Sequence, residues 1–291
     1  MPREHRGFDP GATVDFRHLR RGGEARDPAL QDLWVDPLVM AALSEFVFQV
    51  KHRGDVELLG TKDFVPVAIF GGDYSTGKTI AGRAVAHELG LDFRHVPLAA
   101  MLRRDATNLQ TRLTELAEEL PKKALLVFVD QMEVAFNNPQ LFGAILGLMD
   151  IVTESKQGAV IVAANRVSFD ETTQLAFASR VRPSQAVYFG APNAELAARV
   201  WEGTAGAFVS STLELAPDLD YATLASETSD WTHGAIFEAV RLAVLRLRMS
   251  TESLAAKMVL TQQALAEVIR TSKDRDSAWR GVNPMGFSVR K

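Results

Sequence analysis

The chain has 291 residues, 47% of them apolar, with a net charge of −4 and no cysteine. That length and apolar content suit a soluble globule of one larger domain, or a domain with a small partner, whereas the missing cysteines exclude disulfides and thiolate zinc sites. No run approaches the roughly 20 consecutive apolar residues of a membrane helix and no apolar h-region opens the chain, so a cytoplasmic protein without a membrane partner is expected. The acidic balance argues against nucleic acid as a partner, despite a local excess of arginine in the first 27 residues.

Residues 1–30 are rich in Arg, Gly, Pro and Asp without apolar period and read as a flexible N-terminal arm. The folded body is expected to start near Trp34. From Asp36, Leu38, Val39, Ala42, Leu43, Phe46, Val47 and Val50 recur at helical spacing, with Asp36 suited to the cap and Pro37 to the first turn. Strand character follows at Val65 to Phe70, Asp92 to Pro97, Ala124 to Val129, Ala159 to Ala164 and Gln185 to Phe189, separated by helical patterns. Alternation of this kind predicts an α/β fold, a doubly wound parallel five-stranded sheet over residues 31–192. Beyond Pro192 helical segments take over at Ala194 to Ala207, Tyr221 to Ser226, Gly234 to Met249 and Thr261 to Thr271, predicting a small all-helical domain over 193–272. Residues 273–291 mix charge, Gly and Pro and read as a loosely held or docked tail.

The strongest chemical signal is Gly72 to Thr79, which satisfies GxxxxGKT between the apolar run VPVAIF and the helical run IAGRAVAHEL. In that context the amides of Gly72, Asp73, Tyr74, Ser75, Thr76, Gly77, Lys78, Thr79 and Ile80 would cradle phosphates, Lys78 would reach the β and γ phosphates, and the Thr79 hydroxyl would bind Mg2+. The second signal is LLVFVDQ, an apolar strand presenting Asp130 as a magnesium carboxylate. Gln131 follows, where a glutamate would polarise the attacking water in a phosphate-loop ATPase of this layout. An amide can hydrogen-bond water but cannot take its proton, so hydrolysis is expected to be slowed while ATP binding persists. Two readings fit that residue: a naturally weakened ATPase, or a Glu-to-Gln change that traps bound ATP. The fourth strand ends in Asn165, placed to orient water or sense the γ phosphate. Arg180 and Arg182 precede the last strand, where one of them could stabilise charge on a neighbouring subunit's nucleotide. Thr232, His233, Gly234 and Ala235 open a helix, with His233 read as a helix-start residue.

Taken in order, the phosphate loop, the Asp130 strand, the strand ending in Asn165, the arginine pair and the helical domain with its Gly-Ala helix start resemble an AAA+ ATPase of the classical AAA type over residues 31–272. The resemblance implies ATP and Mg2+ as cofactors and a homo-oligomeric ring, usually a hexamer. It also implies a remodelling activity on a protein client. Within that class, AFASRVRPSQAVYFGAPNAE is similar to a stretch of pachytene-checkpoint-type remodellers, which open HORMA-domain proteins and, in short bacterial members, accompany them in antiphage signalling. Two positions depart from that type: Ala235 stands where a sensor arginine is usual, and LAAMLRRDATNLQTRL lacks an aromatic-glycine pair, with Arg104 and Asp105 in its place. A nucleotide-gated scaffold that barely hydrolyses ATP, and a nucleic-acid-handling loader using the arginine-rich arm, stand as alternatives.

Overall fold

The computed structural model describes residues 28–58, 64–104, 106–155, 157–165, 177, 180–251 and 256–281. By contacts the chain divides into two compact units, with the boundary between Pro192 and Asn193. Among the described residues no helix is long and apolar enough to cross a membrane.

The first unit is a parallel sheet of five strands, β1 (Val67–Gly72), β2 (Asp92–Pro97), β3 (Leu125–Asp130), β4 (Ala159–Ala163) and β5 (Ala186–Phe189). They lie in the order β2-β3-β4-β1-β5. Helices α1 (Pro37–Lys51) and α2 (Arg53–Leu58) precede β1, and α3 (Lys78–Leu89), α4 (Leu98–Arg104), α5 (Ala106–Glu119) and α6 (Pro139–Glu154) lie between the strands in sequence. Side chains alternate across a strand, and β3 is buried on both faces. Leu125, Val127 and Val129 join Leu109, Leu113, Leu116, Ile145 and Leu148 of α5 and α6 on one side. Leu126 and Phe128 join Leu43, Phe46, Ala81 and Val85 of α1 and α3 on the other. This two-sided burial is why the central strands β3 and β4 read as unbroken apolar runs.

Local chemistry fixes the helix starts. The Asp36 carboxylate accepts from Leu38 N at 2.8 Å ahead of Pro37, and Asn138 caps α6 through Leu141 N at 3.1 Å. Ahead of Trp34, Leu30 is already buried in a short 3₁₀ turn over Leu30–Asp32. Strand β1 also lies later than expected. It extends through the glycine pair, whose backbones still pair with Tyr188 and Phe189 of β5.

The second unit holds α7 (Ala194–Ala207), α8 (Tyr221–Glu227), α9 (His233–Met249) and α10 (Gln262–Gly281). Asn193, Asp220 and Thr232 cap the first three with side-chain oxygens. The unit is mainly helical, as expected, and holds two short strands besides. Strands β6 (Leu213–Leu215) and β7 (Met258–Leu260) form a two-stranded parallel sheet. Each is only three residues long, too short to leave a period in the sequence. Helix α10 runs past residue 273 to Gly281. The arm over residues 1–27 and the remainder of the tail lie outside the described residues.

Candidate functional site

Placing β4 between β3 and β1 brings three strand ends together. The loop after β1, the acidic end of β3 and the residues after β4 therefore share one edge of the sheet, where ligands bind in open parallel sheets. The loop is built for glycine at both ends. Gly72 has φ of +132°, and a Cβ there would lie 2.1 Å from the Phe189 carbonyl oxygen, so no side chain fits. Gly77 has φ of +95° and caps α3 in a left-handed conformation, yet a Cβ there would meet nothing within 4 Å. The second glycine is thus demanded by backbone conformation, and the space beside it is open. Between them Thr76 ties the turn through Oγ1 to the Asp73 carbonyl at 2.9 Å.

Lys78 opens α3 and is only 6% exposed. Its ammonium group donates to the Gly72 carbonyl at 3.0 Å and to the Asp73 carbonyl at 2.5 Å, folding back over the loop it belongs to. Burial lowers its pKa below the ordinary lysine value, against the opposing pull of Asp130, Glu133 and Asp73. Thr79 Oγ1 lies 3.4 Å from Asp130 Oδ2, and His95 Nε2 on the adjacent strand lies 3.2 Å from the same oxygen. A hydroxyl and a carboxylate converging beside a phosphate loop fit magnesium, which takes one or two protein oxygens and completes its shell with phosphate and water. Among the described residues no group of three or more His, Cys, Asp or Glu forms a separate metal site.

Gln131 adopts a left-handed conformation with φ of +63° and ψ of +46° and makes no side-chain cap bond to the following 3₁₀ turn, Met132–Ala135. That turn buries Met132 and Ala135 and carries Glu133 to the end of β4. There the Glu133 carboxylate accepts from the Asn165 amide side chain at 2.8 Å and from its backbone N–H at 3.1 Å, and from the Tyr74 hydroxyl at 3.4 Å.

Lys78, Thr79, Asp130 and Asn165 are therefore joined into one neighbourhood through the loop, Asp130 and Glu133. Arg180 sits in a different setting. It makes a bidentate pair with Asp150 of α6 at 2.7 and 2.9 Å, and that hydrogen bonding raises its pKa. The Arg182 backbone N–H donates to Gln185 Oε1 at 2.8 Å. The side chain of Arg104 and all of Asp105 lie outside the described residues. Sequence reasoning missed Glu133, His95 and Asp150. A carboxylate three residues past Asp130 was a readable signal for Glu133, whereas His95 and Asp150 depend on strand register and helix packing.

Residues 68–186 match the family model described as ATPase family associated with various cellular activities (AAA). A search of curated proteins finds no match. Among solved structures, one presented as "Structural Basis for Katanin Self-Assembly" is similar, with a TM-score of 0.69 and 16% identity over 84% of this chain and 85% of that chain. At that identity the likeness shows the fold. The matched residues run from β1 into β5 and hold the phosphate loop, Asp130 and Asn165.

Proposed function

We propose that this chain is an ATP-dependent remodeller that assembles as a homo-oligomeric ring, of the hexameric kind, and acts on a protein client. The convergence of Lys78, Thr79 and Asp130 on the glycine loop carries the nucleotide part of that reading. Backbone amides from Gly72 to Ile80 would hold the phosphates of ATP, with Lys78 leaving the loop carbonyls to pair with them. Thr79 and Asp130 would hold Mg2+, whose chemistry is to neutralise charge that builds on the phosphate oxygens. Asn165 would sense the γ phosphate, and Arg180 or Arg182 would act across a subunit boundary. For Arg180 that role requires release from Asp150.

Self-assembly of katanin, named for the similar structure, supports the ring. A HORMA-domain client in antiphage signalling rests on the resemblance of residues 176–195 alone. Gln131 favours a second reading, a nucleotide-gated scaffold in which ATP binding assembles the ring and position 131 adds nothing to hydrolysis.

The test is particle mass, measured by mass photometry with and without Mg-ATP, beside phosphate release from the same samples. Nucleotide-dependent assembly with turnover supports the remodeller, and assembly without turnover supports the scaffold. A monomer that ignores ATP refutes both.

A further inference from the structure

We propose that Glu133 supplies the carboxylate that activates the hydrolytic water, a task Gln131 cannot perform. The inference rests on the ATPase reading above and assigns its proton-accepting residue.

The backbone accounts for the exchange of roles. With Gln131 in the left-handed region, the chain leaves β3 directly into the 3₁₀ turn, and Met132 and Ala135 are drawn into the core at 0% exposure. Their burial fixes the turn's orientation and leaves the half-buried Glu133 facing the loop and the end of β4. Glu133 is then held by two elements of the site. Oε1 accepts from Asn165 Nδ2 and the Tyr74 hydroxyl, while Oε2 accepts from the Asn165 backbone N–H. A carboxylate offers about four acceptor directions, so one on Oε2 stays uncommitted among the described residues. Its charge also acts on the Lys78 ammonium, which places the carboxylate within electrostatic reach of the group that meets the β and γ phosphates. Asn165 and Tyr74 are positioning residues here, since they aim the carboxylate and leave it an acceptor.

The step balances without a further reagent. Water oxygen bonds to the γ-phosphorus of ATP while the bond from that phosphorus to the β,γ-bridging oxygen breaks, and ADP departs with the electron pair. The proton released by the water passes to Glu133 Oε2 and from there to solvent, yielding ADP and inorganic phosphate.

The test uses the full chain and three variants, Glu133→Gln, Gln131→Glu and the double change. It follows phosphate release, affinity for fluorescent ATP and the identity of nucleotide retained after desalting. Expected is turnover by the unaltered chain that falls by about 10²-fold or more in Glu133→Gln, with ATP affinity within about threefold and ATP rather than ADP retained. Adding Gln131→Glu to that variant should restore turnover, because a carboxylate again borders the site, and this recovery also shows that the variant folds. The proposal is overturned if Glu133→Gln turns over ATP like the unaltered chain. It is equally overturned if the loss comes with a matching loss of ATP affinity, or if the unaltered chain is idle until Gln131→Glu is made. Failure of every form to bind ATP would instead remove the ATPase reading itself, and Glu133 with it.

Discussion

Gly82 offers a sharp test of how the sheet and α3 are locked together. It lies inside α3, and a Cβ at this position would stand 2.4 and 2.6 Å from Cδ2 and Cε2 of Phe128 on β3. Carbon atoms pack at about 3.5–4.0 Å, so the ring would have to move by roughly 1 Å. It has nowhere to go: Phe128 is 0% exposed, with Phe70, Phe93 and His95 ring centroids at 6.2, 5.7 and 5.8 Å. Overpacking of this kind costs about 1–3 kcal/mol, while replacing glycine by alanine within a helix returns about 1 kcal/mol. Gly143 in α6 provides the control, because a Cβ there meets nothing within 4 Å and only the propensity gain remains. Gly82→Ala should therefore be less stable than Gly143→Ala by about 1–3 kcal/mol, the propensity gain cancelling in the comparison. Urea unfolding followed by far-ultraviolet circular dichroism reads this as a lower midpoint at unchanged slope. Equal midpoints for the two variants would refute the account of the α3–β3 contact.

Lys78→Ala should weaken ATP binding by about 10- to 100-fold, the value of a charge-assisted hydrogen bond of about 1.5–3 kcal/mol, as titration calorimetry would show. Because burial lowers the Lys78 pKa, the unfolded chain binds the proton more readily between the lowered value and the ordinary lysine value. This residue's contribution to stability should rise with pH through that window, while ATP affinity falls as the ammonium is lost. Parallel movement of the two quantities would contradict the assignment. In the second unit, Trp201 Nε1 donates to Thr228 Oγ1 at 3.1 Å, and both residues are 0% exposed. Thr228→Val should cost about 1–3 kcal/mol by stranding the indole N–H, whereas Thr228→Ser should retain most of the stability in the same urea experiment.

The fold was legible where burial leaves a period. Strand character marked all five strands of the sheet, most plainly the apolar runs of β1, β3 and β4, and Asp36 and Thr232 marked helix starts because their side chains satisfy amides that the helix leaves unpaired. Strands β6 and β7 were not legible, since three residues give no alternation to count and their pairing joins positions 45 apart, as Leu213 with Met258. Structure before Trp34 and past residue 273 was hidden for a related reason. Leu30 is buried within a stretch that has no apolar period, and helix α10 continues through the charged stretch SKDRD, which composition alone reads as a tail.

The site divides along the same line. The placement of Gly72, Gly77, Lys78, Thr79 and Asp130 was legible because it is set by local backbone geometry: each belongs to a strand end, a tight loop or the first turn of a helix. Glu133 and Asn165 are 32 residues apart and meet only because β4 lies beside β3 in the sheet. Sequence spacing drew attention to position 131, the residue next to the strand. Packing brings position 133 to Asn165 instead, since the turn after β3 buries Met132 and Ala135 and leaves the half-buried Glu133 to meet the end of β4. A motif read as a string points to the neighbour of Asp130, whereas the role proposed above falls on the carboxylate that the core turns toward Asn165.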